Sequence, residues 1–157
     1  MNGLAYYSSP VGELEIRSEG DAITTVWYLK DEKQTEVLTP VIQQCMEELD
    51  EYFLQRRKFF DVNLKLIGTD FQQKVWTQLL EIPYGQTTYY ADIAAKVGDI
   101  NSVRAVGLAN GQNPIAIIIP CHRVIGKDGS MIGYGGGLDR KEWLLRHEGV
   151  LNQLELF

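Results

Sequence analysis

The residues Ile115-Ala116-Ile117-Ile118-Ile119-Pro120-Cys121-His122-Arg123 decide how this chain is read. An apolar run rich in β-branched side chains favours extended, buried backbone. Proline then ends it, because its ring fixes φ and removes a donor. A thiol, an imidazole and a guanidinium follow without a gap. The run predicts a thiol held at the end of a buried segment. Beside it stand a group that can take its proton and a group that can bind an anion. In extended backbone, adjacent side chains point to opposite faces. His122 would therefore meet the Cys121 sulfur only if the chain turns, or through a bridging water. Pro120 makes a departure from strand geometry the expectation.

A thiolate is the useful form of cysteine, and the ordinary thiol pKa is near ~8.5. Lowering it takes positive charge, a base or a helix N-terminus. His122 and Arg123 are the local candidates. A histidine base also needs an orienting group on its other nitrogen. Glu148, Asp139, Asp128 and Glu142 are available, and nothing local chooses among them. The competing reading is a capped strand end with a solvent-exposed histidine.

Upstream, Tyr6-Tyr7, Leu14–Arg17 and Ile23–Tyr28 read as strands separated by turns at Ser9-Pro10-Val11-Gly12 and Glu19-Gly20-Asp21. They predict a small antiparallel meander. A helix follows, with Thr39 as N-cap and Pro40 at its first position. Ile42, Cys45, Met46, Leu49, Tyr52 and Phe53 share one face of it, which makes Cys45 a core residue. Residues 59–66 read as extended or loop. Thr69-Asp70-Phe71-Gln72 is a capping box and sets a boundary near Gly68. The helix it opens carries Phe71, Val75, Leu79 and Leu80 and stops before Pro83.

Two shorter helices are predicted next, from about Thr88 to Val97 and from near Ser102 to about Asn110. Gly98 stops the first, and the linker through Asp99 is short, as in a helix-turn-helix. In the second, Ala105, Gly107 and Ala109 leave one face able to approach another surface closely. That surface is another helix or a DNA groove, and spacing alone favours the helix. After the cysteine segment comes the loop Gly133-Tyr134-Gly135-Gly136-Gly137-Leu138. A last helix is expected from Asp139, with Glu142 completing an Asp-x-x-Glu cap and Gly149 as its stop. Trp143, Leu144 and Leu145 supply its apolar face.

At 157 residues, 45% hydrophobic and 23% charged, the chain has room for one ordinary domain or two small ones. No apolar stretch reaches membrane length, and no basic-then-apolar leader is visible. A cytoplasmic location without membrane contact is the expectation. Cys45, Cys121, His122 and His147 have no close-spaced pairing that suggests a zinc site or a disulfide framework. Neither a P-loop nor a dinucleotide fingerprint is present. The net charge of −6 argues at first against a nucleic-acid partner. Residues 1–70, however, hold 7 Lys+Arg and 13 Asp+Glu, whereas residues 71–150 hold 8 and 7. The second half could therefore carry a local basic face.

Pro120-Cys121-His122-Arg123-Val124 resembles the active-site signature of the O6-alkylguanine-DNA alkyltransferases. Asn113-Pro114, Gly133–Leu138, Lys141–Gly149, Tyr90 and Arg104 fall in the same order as that family's elements. The close likeness covers about Phe71 to Gly149. The resemblance implies an α+β fold: an N-terminal sheet-and-helix domain, ribonuclease H-like, over 1–68, and a mostly helical domain with a helix-turn-helix over 69–157. It implies DNA repair by stoichiometric transfer of an alkyl group from O6 of guanine to Cys121, with O4 of thymine as a second substrate.

The roles it implies are specific. Cys121 attacks the alkyl carbon, His122 takes the thiol proton through a water, and Glu148 orients His122. Tyr90 binds the flipped guanine and helps neutralise the leaving purine, with Tyr89 as the neighbour one register away. Asn113 holds the turn before the active-site segment. Arg104 fills the space the base vacates. Ser102, Ala105, Gly107, Ala109, Asn110 and Arg123 join it on DNA. Tyr90, Val124, Tyr134, Gly135 and Gly136 line the guanine pocket. No cofactor is expected, because the protein itself accepts the alkyl group. The partner is double-stranded DNA containing O6-alkylguanine, and a monomer is expected.

Two departures from the family pattern matter. Gly135 stands where some relatives carry a small hydroxyl residue, which predicts a roomier loop and tolerance of alkyl groups larger than methyl. Some relatives bind zinc in the N-terminal domain. Residues 1–70 contain one cysteine and no histidine, so no metal is expected. The rival readings are a non-catalytic binder of alkylated DNA, a helix-turn-helix regulator and a cysteine hydrolase.

Overall fold

The computed structural model describes residues 1–98, 100–126 and 134–150. The fold is α+β, and the chain forms two compact units. The first holds Met1–Ile67 together with Pro114–Ile118. The second holds Gly68–Asn113 and the chain from Ile119 onward.

The first unit is built on strands β1 (Asn2–Ser9), β2 (Gly12–Glu19) and β3 (Ala22–Tyr28), an antiparallel sheet in sequence order. Leu14, Ile16 and Ser18 of β2 alternate inward, and a register shift between Arg17 and Ser18 adds local twist. Helix α1 (Pro40–Phe53) starts where Thr39-Pro40 predicts, with the Thr39 hydroxyl accepting from the Ile42 amide. Ile42, Cys45, Leu49 and Tyr52 are fully buried, while Met46 and Phe53 lie at the margin. Burial pushes the Cys45 thiol up to about 12, as suits a core residue. α1 crosses β1 at Gly3. A Cβ there would stand 2.5 Å from Ser18 Oγ and 2.7 Å from Ile42 Cγ1. The connection after α1 is tied down by buried Glu48, which accepts from the Asp61 and Val62 amides.

The isoleucine run does not form the predicted extended segment. Ile115 makes a single parallel bridge beside Val26, closed by Val26 N–H to Pro114 O (3.0 Å) and Ala116 N–H to Val26 O (2.8 Å). The backbone then turns. Ile117 adopts φ +74°, a left-handed conformation that a β-branched residue rarely takes. Ile115, Ala116, Ile117 and Ile118 are all buried, so the strained turn lies away from solvent.

The second unit opens with α2 (Asp70–Leu79), whose capping box is formed as predicted between Thr69 and Gln72. Its inward residues are Val75, Trp76 and Leu79, whereas Leu80 is exposed. Trp76 Nε1 donates to the Ala109 carbonyl at 2.9 Å. Thr88-Tyr89 is not the front of a helix but a short strand, β4. Helix α3 follows at Tyr90–Lys96, then a 3₁₀ turn at Ile100–Ser102 and α4 at Val103–Gly111. β4 pairs in parallel with β5 (Val124-Ile125). Helix α5 runs Leu138–His147. It begins at Leu138 because Gly137 (φ +98°) turns the chain in. Asp139 thus lies inside the first turn, and no side-chain cap forms, contrary to the Asp-x-x-Glu expectation. Gly149 (φ +85°) ends it.

Candidate active site

Cys121 opens a 3₁₀ turn, Cys121–Arg123, that runs straight into β5. Cys121 N–H donates to Ile119 O and Arg123 N–H to Pro120 O. The chain thus turns at Pro120, as its ring chemistry predicts. Cys121, His122 and Arg123 are all buried, and the sulfur-bearing residue is 2% exposed.

Of the four carboxylates open to His122, the structure selects Glu148. His122 Nε2 lies 2.8 Å from Glu148 Oε2, with both side chains fully buried. Glu142 pairs instead with Arg146 on the surface, Asp139 is exposed, and Asp128 lies outside the described residues. Arg123 seals the same carboxylate, with Nε donating to Oε1 (2.8 Å) and Nη2 to Oε2 (3.0 Å). Its Nη1 donates to Ile82 O at 2.7 Å, and the guanidinium lies over the Tyr84 ring. Burial alone would raise the Glu148 carboxyl, but His122 and Arg123 outweigh it and hold the group well below the usual carboxylate range. Burial lowers the His122 imidazole, with Arg123 and Lys141 adding to it and Glu148 opposing. A neutral imidazole so placed carries its proton on Nε2, facing the carboxylate. Nδ1 is left as a buried acceptor that bonds to no described residue.

Around the thiol, burial dominates and pushes Cys121 up to about 11. A hydrogen bond with Asn113 and the charge of Lys141 work against it. Arg123, expected to lower this thiol, spends its charge on Glu148. Asn113 also donates from Nδ2 to Ile119 O at 2.8 Å, which fixes the backbone just ahead of Pro120.

Lys141 was missed by sequence reasoning. It is fully buried, donates to Val124 O at 2.6 Å, and burial lowers its ammonium to about 8. A signal was available: Lys141, Leu144, Leu145 and Glu148 recur at helical spacing, so the inward face of α5 contains both charges.

Tyr90 is the first residue of α3 and is half-buried, whereas Tyr89 is 40% exposed. Burial raises the Tyr90 hydroxyl above its ordinary value, Cys121 adds to this, and the Asn110 amide opposes it. Tyr90, Asn110, Asn113 and Lys141 therefore all converge on Cys121. Val124 is fully buried. Tyr134 is buried at the start of the turn into α5, with Gly135 exposed, Gly136 half-buried and Gly137 N–H donating to Tyr134 O. Gly133 lies outside the described residues.

The helix read as DNA-facing divides in two. Arg104 and Ala105 are exposed, and Ser102 and Gly107 are half-buried. Ala109 and Asn110 are buried, because they share the inward stripe of α4 with Val106. Arg123 is buried as well, so these three of the expected DNA-binding residues do not lie on the surface of the free protein. Among the described residues no group of three or more His, Cys, Asp or Glu side chains could hold a metal ion. No helix among them is long and apolar enough to cross a membrane.

The family model for the 6-O-methylguanine DNA methyltransferase DNA-binding domain matches residues 70–150, and that for the family's ribonuclease-like domain matches residues 4–66. A methylated-DNA--protein-cysteine methyltransferase of Methanosarcina acetivorans is 44% identical over 92% of this chain and 97% of its own length. The protein of the same name from Mycobacterium bovis is 48% identical over 89% and 88%. The crystal structure of Mycobacterium tuberculosis O6-methylguanine methyltransferase superposes with a TM-score of 0.85 at 44% identity, covering 94% of this chain and 93% of that one. A structure of Mycobacterium tuberculosis OGT in complex with DNA matches with a TM-score of 0.85, covering 93% and 92%. With both halves matched in order by one family's models, and the buried Cys121–His122–Arg123 turn inside the longer match, this chain belongs to the 6-O-methylguanine DNA methyltransferase family.

Proposed function

We propose that this protein repairs DNA by moving an alkyl group from O6 of guanine onto Cys121, once per molecule. The carrying observation is the buried contact between His122 Nε2 and Glu148 Oε2, which turns Nδ1 away from the carboxylate. Glu148 holds the Nε2 proton at 2.8 Å, so Nδ1 is the bare acceptor in a buried site that also holds a thiol. The relatives named as methylated-DNA--protein-cysteine methyltransferases, and the DNA complex of Mycobacterium tuberculosis OGT, support the substrate and the partner.

The Cys121 proton passes through a water to His122 Nδ1, and the sulfur attacks the alkyl carbon. The S–C bond forms as the C–O6 bond breaks, and the electron pair leaves with the purine. The Tyr90 hydroxyl, kept protonated by burial, donates to that developing anion. Glu148, charged throughout, stabilises the imidazolium, and Arg123 keeps it charged. A thioether offers no easy return to the thiol, so the protein is spent. Because Cys121 is 2% exposed, the base must leave the duplex stack to meet it. The exposed face of α4, with Arg104, Ala105 and Gly107, takes the DNA, and Val124, Tyr134, Gly135 and Gly136 line the base pocket. In this reading residues 69–157 carry DNA binding and transfer, residues 1–68 form the ribonuclease-like domain, and the monomer is the working unit.

The test is chemical. The protein is incubated with a duplex containing O6-methylguanine, and intact and peptide mass spectra are recorded. One methyl on Cys121, absent in Cys121→Ala, is the expected result. Binding without mass gain would point to a damage binder or regulator, and repeated turnover to a hydrolase.

A further inference from the structure

Asn110 lies on the helix that carries Arg104, yet it is 1% exposed. Its Nδ2 donates to the carbonyl of Cys121 at 3.3 Å, and the same amide meets the Tyr90 hydroxyl. It therefore stands between the residue that attacks and the phenol that steadies the leaving group. A carbonyl can only accept, so the amide's orientation is set with nitrogen toward Cys121 and oxygen away. That oxygen, Oδ1, is buried and accepts no hydrogen bond from any described residue. Buried acceptors are nearly always satisfied in native proteins, so an orphan beside a reactive centre points to a donor that arrives with the substrate.

Base chemistry names the donor. Alkylation at O6 removes the hydrogen from N1 of guanine, leaving the 2-amino group as the donor on that edge. Thymine alkylated at O4 presents only acceptors there, N3 and O2. A flipped base is read along this edge. We infer that Asn110 is a specificity-determining residue whose Oδ1 accepts a hydrogen bond from the 2-amino group of the flipped alkylated purine, an assignment that rests on the transfer reaction proposed above. The anchor on the Cys121 carbonyl ties this recognition to the peptide that carries the sulfur. The residue favours O6-alkylguanine over O4-alkylthymine and over alkylated hypoxanthine, which lacks the amine.

Single-turnover rates are compared on matched duplexes bearing O6-methylguanine or O6-methylhypoxanthine, for the wild type and for Asn110→Leu, which keeps the volume and removes the acceptor. Loss of the 2-amino group slows the wild type about tenfold, the worth of one well-made hydrogen bond. It changes the variant by less than about twofold. An unchanged ratio in the variant, or equal wild-type rates on the two duplexes, overturns the inference. Absence of transfer from both duplexes by the wild type overturns the transfer reading itself, and this inference with it. Should Asn110→Leu lose its cooperative thermal transition, the ratio is read on Asn110→Ala. Equilibrium binding by Cys121→Ala gives a readout independent of chemistry: equal affinity for the two duplexes also sinks the assignment.

Discussion

Arg123 grips Glu148 with two arms of its guanidinium, Nε to Oε1 at 2.8 Å and Nη2 to Oε2 at 3.0 Å, in a site closed to solvent. Arg123→Met removes both guanidinium arms from the buried carboxylate. Breaking one side of such a pair costs about 3–5 kcal/mol. Arg123→Lys keeps the charge but cannot reproduce the fork together with the Ile82 contact. Thermal denaturation at neutral pH should rank the wild type above Arg123→Lys and Arg123→Met lowest. Equal melting temperatures would remove the pair from the account.

Acid should unfold the protein in two stages. The His122 imidazole is lowered in the fold, so the unfolded chain takes up a proton first as pH falls below about 6.5. The Glu148 carboxyl is also lowered, and its contribution is present above about 4.3 and lost as pH falls further toward its folded value. Urea titrations from pH 7 to pH 3 should show the lower stage missing from Glu148→Gln. Parallel curves for wild type and variant below pH 4 would contradict this.

Lys141 opposes the burial of the Cys121 thiol, so Lys141→Met should raise the thiol pKa further and slow methyl transfer at pH 7. Iodoacetamide labelling of Cys121 across pH, read by peptide mass to exclude Cys45, gives the thiol shift. Stability moves the other way. The lysine is lowered to about 8 in the fold, so between there and its unfolded value near ~10.4 the unfolded chain holds the extra proton. Wild type therefore gains on Lys141→Met as pH rises through that window, by up to about 3 kcal/mol. A constant difference would rule out a titrating Lys141.

Arg104 is exposed on α4, and its removal should act on DNA rather than on the thiol. Arg104→Ala should weaken duplex binding and reduce the salt slope by about one. Its rate with free O6-benzylguanine base should stay within about twofold of wild type. A matching loss with the free base would place Arg104 in the pocket instead.

Legibility from sequence followed the distance between partners. Thr39 with Ile42, and Thr69 with Gln72, bond within three residues, so their helix starts could be read directly. His122 and Glu148 are 26 residues apart, and four carboxylates stayed open until the path of α5 was known. Arg123 looks outward in a sequence because guanidinium groups usually do. It turned inward because a buried carboxylate was waiting. The isoleucine run favours strand by propensity, but tertiary packing overrode it and forced Ile117 left-handed. Lys141 hid because an apolar stripe is read by its leucines.

The bridge between Val26 and Ile115 has a consequence for synthesis. Strand β3 ends at residue 28, but its neighbour lies close to ninety positions later in the chain. On the ribosome the first unit can pair its three strands early, yet its last backbone partners emerge only after α2, α3 and α4 have been made. Closing so long a loop is slow. Until then only the Ile23 end of that edge is covered, by the bridge to Leu64, and Val26 waits unpaired on that side; a nascent chain stalled before residue 114 is the species most exposed to strand-to-strand aggregation.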